Sequence, residues 1–231
     1  MVRVNSSRAV ILSLIFCVCA IGISCDPRPR TDQQLEAALR IGDTNYLQQY
    51  MNSGGDVNHS MFRALGQRVS SPLLHHALFY GHTNTIEFLL DHGANPNQTD
   101  GLGDTTLLWG IQVMPAAIRV QTVKRLLEAG ADPNLKAPSE YNYTPLLQAA
   151  SYGHADVVDL LLRVGANVHA TNTVGQTSLH LAGNAEVARL LILAGADVTA
   201  RTTYGETPAE SALRSRSFDV LNVLTNANAR H

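Results

Sequence analysis

The chain has 231 residues, and its 17 Lys and Arg side chains against 19 Asp and Glu side chains give a formal net charge of −2. Residues 1–24 hold two of the arginines and no acid, so the remainder has 15 bases against 19 acids, a net charge of −4. This balance offers no cluster of positive charge for nucleic acid, and the length and composition fit one compact exported domain.

Residues 1–24 have the pattern of a secretory signal peptide. Arg3 and Arg8 form a positively charged leader, and residues 9–23 are an almost unbroken apolar run that ends in small residues before Cys25. The run is shorter than the ~20 residues that span a membrane comfortably. The pattern predicts export, with a retained membrane anchor as the alternative.

Cys25 is the single cysteine that remains after the signal peptide is removed, because Cys17 and Cys19 lie within it. The mature chain therefore cannot form an intrachain disulfide. A lone thiol in an oxidising compartment needs another explanation. The residues in front of the cysteine supply one.

Residues 22–25, Gly-Ile-Ser-Cys, resemble a bacterial lipobox, in which the cysteine is acylated and becomes the first residue. Gly22 departs from the usual leucine at its position. The resemblance implies lipidation of Cys25, and Asp26 directly after it implies retention in the inner membrane. Ordinary cleavage after Ser24 would instead leave a soluble periplasmic or secreted protein.

Residues 25–34 include two prolines and predict a short, stiff tether ahead of a folded domain at residues 35–231. A first pair of helical patterns starts near residue 31 without a Thr-Pro start, which suits an N-terminal capping unit with a solvated outer face. About six extra residues separate this pair from the next and include Met-Phe at 61–62. We expect this apolar pair to lie in a loop that folds back on the first unit, or to extend a contact surface.

The rest of the chain repeats one pattern of two short helices, best seen at residues 144–166. Thr144 predicts a helix cap and Pro145 the first helical position, where no amide donor is needed. Gly153 permits a turn, and Gly165 supplies the left-handed backbone that ends the second helix. Two such helices cannot bury both apolar faces alone, so they require stacked copies.

The copies are marked by glycines that end each unit, spaced by 39, 37, 35 and 30 residues. The ends are at Gly54, Gly93, Gly130, Gly165 and Gly195. Six units follow, at about residues 31–60, 70–100, 104–138, 143–173, 176–203 and 206–229. The third carries about four extra residues around 113–117, and the fifth lacks about three after Ala182, which predicts loss of most of a turn from its first helix.

This pattern resembles the ankyrin repeat, with its Thr-Pro-Leu-His start, Gly-His turn, Leu-Leu pair and Gly-Ala-Asp end. Leu-His stands at 74–75 and 179–180, and Gly-His at 81–82 and 153–154. The third unit departs from it, with Ile118-Arg119 in place of Gly-His. The resemblance covers roughly residues 31–229 and implies an all-α solenoid of helix-turn-helix units with short hairpin loops.

The resemblance also implies that a partner meets the hairpin tips and the concave face made by the first helices. By position, the helices contribute Ala37, His76, Phe79, Tyr80, Trp109, Gln112, Gln148, Ser151, Tyr152 and Leu181, and the tips contribute Leu102, Tyr141, Val174 and Tyr204. Trp and Tyr are frequent interface anchors, which favours protein binding. In the alternative interpretation, Phe79 and Trp109 pack against neighbouring units or against the loop at residues 58–70.

The polar residues favour no metal, cofactor or catalytic site. Four of the nine histidines occupy positions where the ankyrin pattern uses histidine to brace turns and neighbouring units: His75, His82, His154 and His180. His75 and His76 diverge by about 100° on a helix and form a poor chelating pair. The segment Gly-Leu-Gly at 101–103 lacks the third glycine of a phosphate loop. The sequence also has no recognisable set of a nucleophile, a base and a group that orients the base.

The predicted function is a protein–protein interaction scaffold in the bacterial periplasm, tethered to the inner membrane by a lipid on Cys25. Another envelope protein is the expected partner, and neither nucleic acid nor a cofactor is expected. Two further hypotheses stay open. An immunity protein would neutralise a periplasm-targeted toxin, for which a net charge of −4 would suit a basic toxin. An accessory factor would support an exported enzyme.

Overall fold

The computed structural model describes residues 30–62, 70–138 and 141–229. The predicted signal peptide and Cys25 lie outside these ranges. Within them the chain forms eleven helices and one pair of short strands. Of the helices in these ranges, none combines the length and apolar character that crossing a membrane requires.

The helices alternate between the first and second positions of each unit. The first three units contain α1 (Arg30–Ile41), α2 (Thr44–Asn52), α3 (Leu73–Tyr80), α4 (Thr83–Asp91), α5 (Thr106–Val113) and α6 (Ala116–Glu128). The last three contain α7 (Pro145–Ser151), α8 (Ala155–Arg163), α9 (Ala185–Leu193), α10 (Pro208–Arg214) and α11 (Phe218–Asn228).

The helices pack in two layers that confirm the predicted all-α repeat fold. In the inner layer α1, α3, α5 and α7 lie side by side in that order. In the outer layer α2, α4, α6, α8, α9 and α11 form an unbroken row. Buried leucines, valines and alanines fill the space between the layers as one continuous core. The inner layer is interrupted before α10, because the fifth unit supplies only the outer helix α9.

The fourth unit shows why these sequences form short helices. The Thr144 hydroxyl accepts a hydrogen bond from the backbone N–H of Leu147 at 3.3 Å, and Pro145 opens α7. Leu147 is completely buried, so capping and burial both favour this helix. Gly165 ends the unit at φ +88°, a conformation that side chains disfavour. These features were predicted from the sequence and are confirmed.

Asparagine side chains tie the ends of neighbouring units together. The Asn97 side chain accepts a hydrogen bond from the N–H of Asp132 at 2.8 Å and donates one to the carbonyl of Gly130 at 2.9 Å. Asn134 makes the same pair of bonds to the following unit. The units are therefore held in register by polar bonds as well as by the core.

The substitution Asn97→Ala is expected to lower the free energy of unfolding by about 1–3 kcal/mol, because two backbone groups lose their side-chain partner. Urea denaturation followed by far-UV circular dichroism measures this change. Asn45→Ala, at an exposed position in α2, is the matched control and should shift the curve little. Equal curves for the two variants would contradict the role of Asn97.

Three segments differ from the sequence prediction. The insertion after the first unit forms an antiparallel pair of strands, β1 (Ser60–Phe62) and β2 (Ser70–Pro72), rather than a loop. Its residue Met61 is buried, and Phe62 is exposed. Helix α1 begins at Arg30, so residues 30–34 are helical and the predicted tether is shorter. The extra residues of the third unit lengthen α6 to 13 residues, against nine in α8.

The fifth unit departs most from the repeat. We predicted that its first helix loses most of a turn, but residues 177–183 contain no helix: Thr177 forms an isolated β-bridge with Thr171, and residues 178–181 form a turn. The backbone N–H of His180 donates to the carbonyl of Thr177 at 3.0 Å. The backbone N–H of Gly183 donates to the carbonyl of Ala150 in the fourth unit at 2.9 Å. A first helix about three residues shorter than the seven-residue α7 would keep only about one turn, which has too few hydrogen bonds to offset the cost of nucleation. The segment is therefore held by the neighbouring unit instead.

Candidate protein-binding face

The exposed aromatic side chains of the described chain lie mostly on the first helices and on the segments that join the units. Six aromatic side chains are exposed there, and five of them lie on first helices or on the hairpins between units. These five are Phe62, Phe79, Tyr141, Tyr152 and Tyr204. The sixth, Phe218, begins the outer helix α11. We call the surface made by the first helices and the hairpin tips, with these five residues and Leu102, the inner face.

Three of the hairpin tips are each held in shape by one side chain. The Asp100 carboxylate accepts hydrogen bonds from the N–H groups of Leu102 at 2.9 Å and Asp104 at 3.0 Å. The Asn172 side chain accepts an equivalent pair of bonds in the tip that carries Val174, and the Thr202 hydroxyl does so in the tip that carries Tyr204. Tyr204 is 83% exposed at its tip, and Leu102 is 61% exposed. The tips thus present large side chains on rigid turns.

Trp109 is half-buried rather than fully displayed on the inner face. Its indole N–H donates to the Asp100 carboxylate at 3.2 Å, and its ring meets the edge of His75 at 5.7 Å between centroids. The ring also packs against the core. Much of the Trp109 ring therefore packs against a neighbouring unit, as in the alternative interpretation.

Phe79 and Tyr80 end α3 with different degrees of exposure. Phe79 is 50% exposed and contacts the Tyr80 ring edge-on at 5.3 Å. The Tyr80 hydroxyl donates to the buried carboxylate of Glu36 at 2.7 Å. Burial, reinforced by Glu36, raises the pKa of Tyr80 above its ordinary value. About half of the Phe79 side chain therefore faces solvent, whereas the hydroxyl of Tyr80 braces α3 against α1.

Tyr152 is supported from below by a histidine and an arginine. Its ring stacks on His154 at 5.6 Å with 30° between the ring planes. Arg119, which stands where the ankyrin pattern has histidine, donates to Nδ1 of His154 at 3.3 Å. Tyr152 remains 46% exposed, so it combines a fixed position with an open ring face.

His76 was predicted to contact a partner, and the structure contradicts this. The side chain is completely buried, and its Nε2 lies 3.2 Å from the carbonyl oxygen of Met61. The strands of the insertion cover the position that an ordinary repeat would leave open. His76 is therefore a core residue that anchors the insertion.

The other predicted positions lie on the inner face with mixed exposure. Ala37, Gln112 and Ser151 are exposed on their helices, and Tyr141 is 55% exposed at its tip. Gln148, Val174 and Leu181 are half-buried. The repeat pattern gave no sign of a groove of about 350 Å³ beside Ser151 and Leu181, where the fifth unit lacks its inner helix. The shortening after Ala182 was the one signal that could have indicated it.

The histidines of the ankyrin pattern join neighbouring units by hydrogen bonds. His75 Nε2 lies 3.2 Å from the carbonyl oxygen of Asp104, His82 Nε2 lies 2.8 Å from that of Arg40, and His180 Nε2 lies 3.0 Å from that of Glu206. In the ranges that the structure describes, no three His, Cys, Asp or Glu side chains are grouped as metal ligands. The predicted bracing role of these histidines accounts for their positions.

Two of these histidines make stability depend on pH. Burial lowers the pKa of His180, and burial together with the nearby Arg119 cation lowers the pKa of His154. Nδ1 of His180 also accepts a hydrogen bond from the N–H of Thr177 at 3.2 Å, which requires the neutral ring. At pH values near the ordinary histidine pKa of about 6.5, the unfolded chain therefore binds protons more readily than the folded chain does.

The free energy of unfolding is accordingly expected to fall as the pH is lowered from about 7.5 to 5.5. Urea denaturation at a series of pH values measures this dependence. The double variant His154→Gln/His180→Gln should lose most of it. A free energy of unfolding that rises toward pH 5.5 in the unsubstituted chain would contradict the account.

Comparison with known proteins identifies the family. The family model described as ankyrin repeats (3 copies) matches residues 34–137 and 113–202. The chain belongs to the ankyrin-repeat family. This family consists generally of protein-binding scaffolds, which agrees with the side chains that the inner face presents.

Relatives of this ankyrin-repeat chain come from different kinds of source. The ankyrin repeat protein FPV024 of Fowlpox virus (strain NVSL) is 35% identical over 109 residues, which are 47% of this chain and 18% of that protein. An ankyrin repeat protein of the bacterium Rickettsia felis is 30% identical over 137 residues, 59% of this chain and 42% of that protein. The matched part thus spans less than half the length of each relative.

One solved structure matches nearly the whole described fold. It is a chain in the complex titled "Bd0816 Predatory Endopeptidase from Bdellovibrio bacteriovorus in complex with immunity protein Bd3460". The TM-score is 0.69 and the identity 20%, over 83% of this chain and 96% of that chain. At this identity the match establishes a shared fold.

Proposed function

We propose that the chain is a protein-binding scaffold of the bacterial periplasm that holds another envelope protein against its inner face. The observation that carries this proposal is the concentration of five of the six exposed aromatic side chains of the described residues on that face. Aromatic side chains anchor protein interfaces because they bury a large area at a small cost in rotamer entropy.

The rigidity of the inner face supports high affinity. Tyr152 is stacked on His154, and the carboxylate of Asp100 fixes the tip that carries Leu102. Side chains that are already ordered lose little conformational entropy when a partner docks. A preformed surface of this kind suits one specific partner.

The proposed location depends on the sequence before the described residues. The signal-peptide pattern of residues 1–24 supports export, and the lipobox-like residues 22–25 support acylation of Cys25. A lipid on Cys25 would hold the repeats close to the inner membrane, separated from it by the few residues before α1. The partner would then be a protein that is found in, or enters, the periplasm.

A narrower role as an immunity protein is favoured by one observation. A solved structure with the same fold is a chain from a complex between an endopeptidase and an immunity protein. By analogy, the partner of this chain would be a toxin or enzyme that acts in the envelope, and the chain would block it. The net charge of −4 favours a basic partner.

Affinity capture tests both roles. The tagged mature chain is isolated from the native cell envelope, and mass spectrometry identifies the proteins bound to it and the mass of its N-terminal peptide. We expect one stoichiometric protein and an acylated Cys25. A stoichiometric protein that is retained equally by the double variant Tyr152→Ala/Tyr204→Ala would contradict binding through the inner face.

The immunity role makes a separate demand on cells. A strain that lacks the gene should be killed by sibling cells that carry the partner as a toxin, and the intact gene should restore survival. Equal survival with and without the gene, in contact with such cells, would rule out immunity and leave the scaffold role standing.

A further inference from the structure

The inner face is interrupted by a groove where the first helix of the fifth unit is missing. An α-helix with its side chains is about 10 Å wide, so its absence leaves a gap between α7 and α10 that the turns of residues 177–183 fill only in part. The groove is lined by Ser151, Gln176, His180, Leu181, Ala182, Gly183, Ser211, Arg214, Ser215 and Ser217. It therefore has one wall from α7, one from α10, and a floor from the fifth unit.

The floor of the groove is fixed to the fourth unit. The Asn184 side chain donates to the carbonyl of Gly153 at 2.8 Å, and the N–H of Gly183 donates to the carbonyl of Ala150 at 2.9 Å. A Cβ atom on Gly183 would lie 2.9 Å from the backbone nitrogen of Gly153 and 3.0 Å from the carbonyl oxygen of Ser151. Glycine thus lets the floor press against the end of α7, so the groove is a permanent feature.

The lining of the groove is rich in uncharged hydrogen-bonding groups. Ser211 is only 4% exposed, and its hydroxyl has no hydrogen-bond partner among the residues that the structure describes. Ser215 donates to the carbonyl of Ser211 at 3.0 Å and lies 3.1 Å from the hydroxyl of Ser217. The Ser211 hydroxyl oxygen is itself closed off from solvent, so the hydroxyls that can reach a molecule in the groove are those of Ser151, Ser215 and Ser217.

The charge of the lining argues against a highly charged ligand. Arg214 is the one lining residue with a permanent charge, and its guanidinium already makes two bonds to the Glu206 carboxylate, at 2.7 and 3.0 Å. Serine hydroxyls and the Gln176 carboxamide can both donate and accept hydrogen bonds. Such groups match the N–H and C=O groups of a peptide backbone.

We propose that this groove holds an extended segment of the protein partner, with its backbone hydrogen-bonded by the serines and Gln176. The proposal rests on the function proposed above and names the part of the inner face that distinguishes one partner from another. Leu181 in the floor would receive an apolar side chain of the segment, since alternate side chains of an extended chain point the same way. Tyr152 follows Ser151 at the rim, so the groove continues the aromatic surface.

Site-specific photo-crosslinking separates this proposal from the proposed function. A benzoylphenylalanine residue is placed at Leu181 in the groove, at Tyr152 on the open inner face, or at Arg189 on the outer helix α9, and cells are irradiated. We expect the probes at 181 and 152 to attach to the same protein, with the adduct at 181 mapping to one short continuous segment of it. The probe at 189 should not attach to this protein.

The other outcomes count against one or both of the proposals. Attachment at 152 without attachment at 181 would overturn the groove and leave the scaffold function standing. Attachment at neither position would count against both. Attachment of the probe at 181 to a glycan rather than a polypeptide would show that the groove holds a different class of molecule.

Binding measurements with the captured partner give a second readout. Ser151→Trp should fill the groove and weaken binding about tenfold or more. Arg189→Trp on the outer layer is the matched control. Far-UV circular dichroism shows whether each variant is folded. A folded Ser151→Trp chain with unchanged affinity would overturn the proposal.

Discussion

Replacing Trp109 by alanine is expected to lower the free energy of unfolding by about 2–4 kcal/mol. The indole ring packs against the core and against the edge of His75, and its N–H donates to the Asp100 carboxylate. The substitution removes these contacts. It also removes one hydrogen bond to the Asp100 carboxylate, the group that shapes the tip at Leu102. Urea denaturation of the purified mature chain measures the loss.

Two controls separate packing from surface effects. Trp109→Phe keeps most of the ring contacts and loses one hydrogen bond, so it should cost about 1 kcal/mol. Tyr152→Ala, at an exposed ring, should change stability by less than about 1 kcal/mol. If Trp109→Ala unfolds at the same urea concentration as the unsubstituted chain, the indole is chiefly a surface group and returns to the set of candidate partner contacts.

The double variant Tyr152→Ala/Tyr204→Ala is expected to weaken binding of the captured partner by about 100-fold or more, because anchor residues typically contribute 2 kcal/mol or more each. Both rings are exposed, at 46% and 83%, so their removal should leave the fold intact. Isothermal titration calorimetry measures the dissociation constant. The two tyrosines are far enough apart in the sequence to test two different units.

Leu193→Ala is the matched control for this loss of affinity. Leu193 is 84% exposed at the end of α9 in the outer layer, so it also removes a large exposed side chain. Its affinity should equal that of the unsubstituted chain. A loss of binding in Leu193→Ala, with normal binding by the tyrosine double variant, would move the interface to the outer layer.

The repeat units could be predicted because their signals are local. Thr144 caps α7, Pro145 opens it, and Gly165 ends the unit in the left-handed conformation. Each feature depends on a few neighbouring residues, so it recurs wherever the sequence recurs. The positions of the tip residues Tyr141 and Tyr204 follow from the same repeat, and both are exposed.

The features that the sequence did not predict depend on contacts between distant segments. His76 occupies a helix position that the repeat would leave open, but the insertion folds over it and places the carbonyl of Met61 beside its ring. Pairing of β1 with β2 determines this, and the repeat period carries no information about it. Similarly, Pro115 directs the extra residues of the third unit into α6 rather than α5.

The groove was missed for an energetic reason. The sequence shows that about three residues are absent after Ala182, and this is compatible with either a shorter helix or no helix. The outcome depends on the free-energy balance between one remaining helical turn and the bonds from Gly183 and Asn184 to the fourth unit. The bonds from Gly183 and Asn184 form in place of the helical turn, and the inner layer is broken at this point.

Hydrogen–deuterium exchange of the mature chain, with and without the captured partner, tests the central claim most directly. Binding through the inner face predicts slower exchange in α7 and in the tips at residues 100–105 and 202–206, with α8 and α9 unchanged. Slower exchange confined to α8 and α9 would contradict the account, because those helices form the outer layer.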